Sequence, residues 1–186
     1  MSRNNNIILT RTYETPVGIV SIGDFNGSLC MCDWIKAAGA PDELRKNIAL
    51  RHERIRESVA KSLSSRLNHG DSPLLRAALA QLDDYFHGVR RDFDLPVLMT
   101  GTAFRIKVWS AIASIPYGET ISYSRLAAAV GSPKGVRAVA SACGANPISV
   151  IIPCHRVIGA DGSLSGYAGG IAAKEFLLES EKHNFV

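Results

Sequence analysis

Residues 122–143 read SYSRLAAAVGSPKGVRAVASAC, and this stretch predicts the architecture of the C-terminal half. A serine precedes a first helical run over 123–130, and Gly131 follows that run. Ser132 and Pro133 are typical of an N-cap and of the first residue of a second helix, which we expect to reach the end of the stretch. Two helices with so short a glycine-containing connection predict a helix-turn-helix.

The second of these helices has an unusual composition. It consists almost wholly of small residues, with Arg137 in its first turns. Such a surface suits close packing against another helix. An unpaired arginine in a core is costly, however, so the same pattern also suits a helix that lies against nucleic acid with Arg137 projecting into it. The residues alone leave both interpretations open.

The chain after the helix pair predicts a small hairpin. Residues 150–152 form an apolar run typical of a strand, and two short β-like segments, 157–158 and 164, flank the turn residues 160–163. A helix-turn-helix followed by a hairpin is the pattern of a winged-helix domain. Residues 172–181 predict a final helix.

The N-terminal half predicts a small antiparallel sheet followed by helices. Strand-like runs at 7–11, 17–22 and 28–34 surround a hairpin signal, Asn26-Gly27. The remaining segments are expected to be a loop with a short helix over 35–50, a helix over 53–67, and a helix that Ser72-Pro73 begins and Gly88 ends.

Composition and charge restrict the functional class. The 186 residues are 46% apolar and 20% charged, as in a globular protein. No apolar run approaches the ~20 residues of a membrane span, and the polar start at 1–6 does not resemble a signal peptide. We therefore expect no membrane partner and a cytoplasmic location, or a nuclear one in a eukaryote. Residues 101–159 hold six basic residues and one acid, Glu119, a net charge of +5, which fits either a phosphate-binding surface or a surface that is basic by chance.

Residues 151–157 read IIPCHRV and contain the candidate nucleophile, Cys154. A proline stiffens the backbone just before it, and the ionisable neighbours His155 and Arg156 are expected to lower its pKa. On an extended backbone, adjacent side chains point opposite ways, so contact between Cys154 and His155 needs a bridging water or a turned backbone. The alternative is a buried structural thiol, which is the usual fate of a free cysteine. Cys30, Cys32 and Cys143 are expected to be such core thiols, since a metal site formed by the first two with His52, His69 or His87 lacks the usual ligand spacing.

At this motif the sequence resembles the O6-alkylguanine-DNA alkyltransferases, also called methylated-DNA–protein-cysteine methyltransferases. The signature is Pro-Cys-His-Arg-Val at 153–157, and it is long and specific. The resemblance is weak over 1–97 and close over about 101–181, where further segments agree in order and spacing: 121–123, 137–139, 146–147, 166–170 and 174–178.

The resemblance implies a reaction and a set of reacting residues. Members of this family remove an alkyl group from O6 of guanine in DNA, keep it on their own cysteine and thereby inactivate themselves; O4 of thymine is a further substrate position to be tested. Cys154 matches the alkyl acceptor. His155 and Glu181 match a relay in which a water links the thiol to the imidazole, and Asn146 matches the residue that holds the active-site turn. Tyr123 matches a tyrosine that aids nucleotide rotation and protonates the leaving guanine.

The resemblance also implies a DNA surface and a base pocket. Arg137 matches the arginine that fills the space of the flipped nucleotide, and a serine is common in the family where Ala168 stands. The expected partner is double-stranded DNA containing O6-alkylguanine, and a monomer with no metal and no cofactor is expected. The other residues placed at the DNA surface are Ser122, Tyr123, Lys134, Ala138 and Arg156, and those placed at the base pocket with Ala168 are Tyr167 and Val157.

The predicted fold is therefore α+β. It consists of an N-terminal α/β domain with a small antiparallel sheet and a structural role, 1–97, and a C-terminal winged helix-turn-helix domain with the active-site cysteine, 98–186. Two other functions are weighed against alkyl transfer. A DNA-binding sensor of alkylated bases would lack the cysteine, and Cys154 is present. A cysteine hydrolase that uses Cys154 and His155 would need an oxyanion hole and would turn over.

Overall fold

The computed structural model describes residues 6–183 and has an α+β fold, as predicted. None of the described helices is long and apolar enough to cross a membrane. The first half of the chain forms β1 (Ile7–Thr15), β2 (Gly18–Phe25), β3 (Ser28–Ala37), α1 (Asp42–Ser62), β4 (Arg66–His69) and α2 (Pro73–Phe86).

A four-stranded sheet in the order β3-β2-β1-β4 organises this half. Strands β1, β2 and β3 pair antiparallel, whereas β4 lies parallel to β1. The predicted hairpin between β2 and β3 is confirmed. Asn26 and Gly27 both have positive φ angles, 51° and 80°, as a two-residue turn between right-twisted strands requires.

The region around α1 differs from the prediction. The expected helix over 53–67 is present over 53–62, but its bounds are wrong: the helix begins at Asp42, within the expected loop over 35–50, and ends at Ser62, before β4. Its buried face contains Ile48, His52, Ile55 and Val59, and the buried polar His52 interrupts the apolar period that the sequence shows. The edge strand β4 forms because it pairs with β1, and no local sequence pattern predicts that pairing.

Helix α2 begins and ends as predicted. The Oγ of Ser72 accepts a hydrogen bond from the backbone N–H of Leu75 at 3.1 Å, and Gly88 follows the helix with a φ of 74°. The buried face of α2 includes Tyr85 and Phe86 near its end. This face turns Tyr85 toward the C-terminal half of the molecule.

Up to residue 183, where the described chain ends, the second half contains four helices and two short strands. Its elements are α3 (Ala103–Ala113), β5 (Ile121–Ser122), α4 (Tyr123–Ala129), α5 (Val136–Gly144), a 3₁₀ turn (Cys154–Arg156), β6 (Val157–Ile158) and α6 (Ile171–His183). The predicted helix pair, α4 and α5, is present and packs on α3. Trp109 of α3 donates a 2.8 Å hydrogen bond from Nε1 to the carbonyl of Ala142 in α5.

Two local predictions for this half are wrong. Ser132 does not cap α5: its carbonyl accepts from the N–H of Gly135 at 2.8 Å, which closes a turn, and the helix begins only at Val136. Residues 150–152 are not a strand, since Val150 has a φ of 73° and the N–H of Ile152 bonds back to the carbonyl of Ile148.

The hairpin expected after the active-site motif is also replaced. Strand β6 pairs in parallel with β5, so its partner is the segment that begins the helix-turn-helix. Residues 159–163 close a tight loop through a 2.8 Å bond from Gly159 N–H to the carbonyl of Ser163, and no returning strand follows within the described chain. Because β6 directly follows the 3₁₀ turn of Cys154, its pairing with β5 connects that turn to the strand from which α4 begins.

Candidate active site

Cys154 lies on the floor of a cleft of about 440 Å³. It begins the 3₁₀ turn after Pro153, and its side chain is buried, with 6% exposed. Around it, the cleft is lined by Tyr123, Arg137, Tyr167 and Ala168, which are four of the residues that the sequence places at the site.

A tight turn over 146–152 presents the cysteine. Asn146 is fully buried, accepts from the N–H of Ile148 at 3.0 Å and donates to the carbonyl of Ile152 at 2.9 Å. The same turn holds Val150 in the left-handed region, where a β-branched residue costs about 1–3 kcal/mol. Asn146 therefore supplies the hydrogen bonds that keep a strained turn in place beneath the thiol.

His155 faces a buried carboxylate. Its Nε2 lies 2.8 Å from Oε1 of Glu181, and both side chains are excluded from solvent. Arg156 donates to both oxygens of Glu181, at 3.0 Å to Oε2 and 2.9 Å to Oε1. Tyr85 donates to Oε1 at 2.6 Å, and the backbone N–H of Gly118 donates to Oε2 at 3.1 Å.

These contacts determine the charge states. Burial alone would raise the pKa of Glu181, but the hydrogen bonds and charges of His155 and Arg156 lower it to about 2. Arg156 is always charged, so it keeps the carboxylate ionised whatever the state of His155. Burial lowers the pKa of His155, which makes the imidazole neutral at pH 7. Because an ionised carboxylate only accepts, Nε2 carries the proton and Nδ1 is left as an acceptor.

Nδ1 of His155 is buried and has no hydrogen-bond partner in the part of the chain that the structure describes. An orphaned buried acceptor is rare in native structures and indicates a site for a water or a transferred proton. This is the atom through which His155 could receive the thiol proton of Cys154.

The thiol itself is not activated as expected from its neighbours. Burial raises the pKa of Cys154, and the Asn146 side chain and the charges of Arg51 and Lys174 only oppose that rise. The prediction that Arg156 lowers this pKa is wrong, because its guanidinium pairs with Glu181 instead. At neutral pH the resting cysteine is therefore a thiol that needs a base.

Two residues expected at the DNA surface or base pocket lie elsewhere. Arg156 is 7% exposed, and it donates to the carbonyl of Ile115 at 2.5 Å as well as to Glu181, so its predicted contact with DNA is wrong. Val157 is fully buried in β6 and does not line the cleft. Arg156, at the end of the 3₁₀ turn, supports the relay, and Val157, at the start of β6, belongs to the core.

Of the remaining predicted residues, Tyr123 and Arg137 line the cleft, whereas Ser122, Lys134 and Ala138 are not among its lining residues. Arg137 and Ala138 are exposed in the first turn of α5, and Lys134 is exposed just before that helix. Ser122 accepts from the N–H of Arg125 and so caps α4, while Tyr123 donates from its hydroxyl to the carbonyl of Ser165 at 3.3 Å.

The loop opposite α5 is fastened at two points. Lys174 is fully buried and donates from Nζ to the carbonyls of Val157 at 2.7 Å and Ser165 at 3.0 Å. Trp34 of β3 donates from Nε1 to the hydroxyl of Tyr167 at 3.2 Å. These bonds fix the wall of the cleft that carries Tyr167 and Ala168.

Two family profiles match the chain. The 6-O-methylguanine DNA methyltransferase ribonuclease-like domain matches residues 8–99, and the DNA-binding domain of the same proteins matches residues 103–183. The chain belongs to the 6-O-methylguanine DNA methyltransferase family. The division at 97/98 stays a prediction, and the two halves are joined by bonds such as that between Trp34 and Tyr167.

Individual proteins that are similar to this chain have names from the same family. The methylated-DNA–protein-cysteine methyltransferase of Methanosarcina barkeri is 51% identical over 109 residues, which is 59% of this chain and 69% of the relative. The constitutive enzyme of Bacillus subtilis is 47% identical over 126 residues, 67% of this chain and 76% of the relative. The crystal structure of Mycobacterium tuberculosis OGT in complex with DNA aligns with a TM-score of 0.74 and 35% identity, covering 94% of this chain and 93% of the other.

The sequence did not predict that residues of the N-terminal half take part in the methyltransferase site. Arg51 of α1 lines the cleft, donates to the carbonyls of Gly144 at 3.0 Å and Asn146 at 3.0 Å, and pairs with the buried Asp33. Tyr85 of α2 bonds to Glu181. In the sequence, Arg51 belongs to a helix rich in charge and Tyr85 to an apolar face, so no local signal distinguishes them from surface and core residues.

Cys30, Cys32 and Cys143 are buried core thiols, as expected, and burial raises the pKa of each. Within residues 6–183 no group of three or more His, Cys, Asp or Glu side chains could hold a metal ion.

Proposed function

We propose that this protein repairs DNA by transferring an alkyl group from O6 of guanine to the thiol of Cys154, once per molecule. One observation carries the proposal. Cys154 lies at the floor of an open cleft, while the neighbouring His155 has its Nε2 bound to Glu181 and its Nδ1 without a hydrogen-bond partner among residues 6–183. A nucleophile, a base and a group that orients the base are thus assembled where a ligand can enter.

Activation of the thiol follows from the charge states. His155 is neutral and Nδ1 is its acceptor, so it can take the proton of Cys154, directly or through one water. The imidazolium that forms lies 2.8 Å from the ionised Glu181, which stabilises the new positive charge. Glu181 is in turn held by Arg156 and Tyr85 and is a positioning residue.

The transfer step balances without a co-reactant. The thiolate attacks the alkyl carbon, a carbon–sulfur bond forms, and the carbon–oxygen bond breaks with its electron pair going to O6 of guanine. Burial raises the pKa of Tyr123, so its hydroxyl is protonated and can donate a proton as the guanine leaves. The imidazolium then passes its proton to the phenolate of Tyr123, so both side chains regain their original state and the net products are a thioether and ordinary guanine.

Access to the alkyl carbon requires the nucleotide to leave the duplex, because the carbon is shielded inside stacked base pairs. Helix α5 presents the exposed small residue Ala138 next to the exposed Arg137, which suits close approach to DNA with one side chain inserted. The flipped base would enter between Tyr123 and the wall carrying Tyr167 and Ala168. Ala168 offers no side-chain hydroxyl there, so recognition of O6 depends on backbone groups and Tyr123.

The test is intact mass spectrometry after incubation with a duplex that contains one O6-methylguanine. We expect every protein molecule to gain the mass of one methylene group, with a limit of one transfer per molecule, and the peptide carrying the methyl group to contain Cys154. The Cys154→Ala variant is the control and should gain nothing. Turnover beyond one methyl group per protein would contradict the proposal.

A further inference from the structure

A second cavity lies beside the active-site cleft and has a strongly positive lining. Its volume is about 280 Å³, and it is bounded by α1, the start of α3 and the end of α5. Three arginines line it: Arg51 and Arg54 from α1, and Arg105 from α3. No carboxylate is among the described residues that line it.

Two of these arginines have no acidic partner among residues 6–183, and Arg54 is exposed to solvent. Arg51 is committed to Asp33 and to two carbonyls. Arg54 and Arg105 have no ion pair and no side-chain hydrogen bond to any residue of 6–183. By contrast, the nearby Arg45 and Arg56 of the same helix both pair with acids. Like charges that share a cavity without a counter-charge repel each other, and a bound anion would remove that repulsion.

Hydroxyl groups also line the cavity, beside apolar residues such as Ile55 and Trp109. Oγ1 of Thr100 is buried and has no hydrogen-bond partner within the described part of the chain. Ser58 and Ser141 also line the cavity. Guanidinium groups together with hydroxyl donors are the set that binds phosphate oxygens, since the planar fork of arginine matches their geometry.

The cavity continues the active-site cleft along α5. Arg51 and Gly144 line both. Arg137 lies in the cleft one helical turn before Ser141, which lies in the cavity. A Cβ at Gly144 would meet no atom within 4 Å, so the rim between the two is open. A strand with one nucleotide in the cleft could pass over this rim, because phosphates follow each other about every 3.4 Å of helix axis along a strand.

We propose that this cavity, formed by Arg54, Arg105 and Thr100, binds a backbone phosphate of the DNA strand that carries the alkylated guanine. The proposal rests on the proposed function. It gives the N-terminal half, through α1, a direct part in DNA binding, whereas the sequence predicts a structural role for residues 1–97.

The first test measures DNA affinity against salt for Arg54→Gln, Arg105→Gln and the double variant. Each lost phosphate contact should weaken binding roughly threefold to tenfold and reduce the slope of log affinity against log salt by about 0.9. Lys46→Gln is the matched control, because it removes one charge from the exposed face of the same helix outside the cavity, and its slope should equal that of the wild type. Arg54→Lys keeps the charge and should keep most of the slope. Equal losses in Lys46→Gln and Arg54→Gln would overturn the proposal, since they would indicate only a long-range effect of net charge.

The second test removes the charge from the DNA. Single methylphosphonate substitutions are placed at each phosphate flanking the O6-methylguanine. We expect one position at which neutralisation weakens binding by the wild type but has little effect on the double variant. If every position weakens both proteins equally, the cavity binds no DNA phosphate and the proposal fails.

Two further measurements distinguish a failure of the phosphate site from a failure of the proposed function. Methyl transfer by the wild type is measured in the same samples, so a failure of the proposed function is seen independently of any change in affinity. Inorganic phosphate is added in thermal unfolding experiments. If it stabilises the wild type while the double variant binds DNA normally, the cavity takes a free anion and the DNA assignment is overturned.

Discussion

Tyr85 of α2 donates a 2.6 Å hydrogen bond to the carboxylate of Glu181 in α6, across 96 residues of sequence. The same oxygen lies 2.8 Å from Nε2 of His155. Tyr85 also lies 3.4 Å from that nitrogen, so one phenol contacts both members of the relay. The N-terminal half therefore takes part in orienting the base that activates the cysteine.

The first prediction concerns acid stability. The pKa of Glu181 is lowered in the folded state to about 2 from an ordinary value of about 4.3, so its contribution to stability is complete above about pH 5 and is lost as pH falls toward 2. We expect that loss to be on the order of 3 kcal/mol in the free energy of unfolding. Burial lowers the pKa of His155, so stability should also begin to fall once pH drops below about 6.5, where the unfolded imidazole takes up a proton. Denaturant unfolding from pH 7 to pH 2 measures both, and Glu181→Gln should flatten the lower part of the curve. An unchanged slope in that variant would contradict the assignment.

The pH dependence of transfer should report His155 rather than the thiol. Because burial lowers the pKa of His155, the rate is expected to stay level through neutral pH and to fall only in acid. Single-turnover rates with a methylated duplex from pH 5 to pH 9 test this. A rate that rises tenfold per pH unit above pH 7 would mean that Cys154 ionises without the histidine.

Cys154→Ser should abolish transfer while DNA binding persists. A hydroxyl has a far higher pKa than a thiol and is a harder nucleophile, so attack on an alkyl carbon should be undetectable. The change is nearly isosteric. Cys143→Ser is the matched control: Cys143 also lines the cleft, yet its variant should still accept the alkyl group on Cys154. Alkylated Cys143 in the Cys154→Ser protein would argue against the assigned acceptor.

Arg137→Ala should slow repair of duplex DNA much more than reaction with the free alkylguanine base. Arg137 is exposed at the mouth of the cleft, where it can fill the space of a rotated nucleotide. The free base needs no rotation, so loss of the side chain should matter little to it. The test measures the transfer rate of the variant with each substrate. Equal slowing with both would mean that Arg137 contributes to the chemical step or to the fold instead.

Arg51→Gln should destabilise the protein as well as slow transfer. Asp33 is fully buried and pairs with Arg51, and its second carboxylate oxygen lies 3.0 Å from Nδ1 of His52. Removal of the Arg51 charge leaves the buried carboxylate of Asp33 without its ion-pair partner. We expect this to lower the free energy of unfolding by about 2–4 kcal/mol. Freed carbonyls at Gly144 and Asn146 would loosen the turn below Cys154. The control is Arg56→Gln, an exposed ion pair with Glu53 on the same helix, for which a change of at most about 1 kcal/mol is expected. Chemical denaturation compares the two, and equal effects would refute the role of Arg51.

Local signals in the sequence predicted those elements whose ends depend on nearby atoms. Ser72 and Ser122 cap their helices through hydrogen bonds three residues away, and the turn at Asn26-Gly27 needs only the conformational preference of those two residues. Ser132 has the same local signature but fails, because its carbonyl closes a turn with Gly135. A cap motif shows that a serine side chain can accept a hydrogen bond from the first turn of a helix. Whether it does so depends on the other hydrogen bonds that the neighbouring backbone forms.

The sequence by itself determined the identity of the reacting cysteine and the family, since 153–157 is a contiguous motif whose chemistry lies in adjacent side chains. Only the tertiary structure decided how that chemistry is arranged. It turns Arg156 inward to Glu181, raises the pKa of the thiol through burial, and brings Arg51 and Tyr85 to the site from 95 and 96 residues away. The physical reason is that burial and pairing of charge depend on which surfaces meet when the sheet and the helices pack, and that information is absent from any local stretch of the chain.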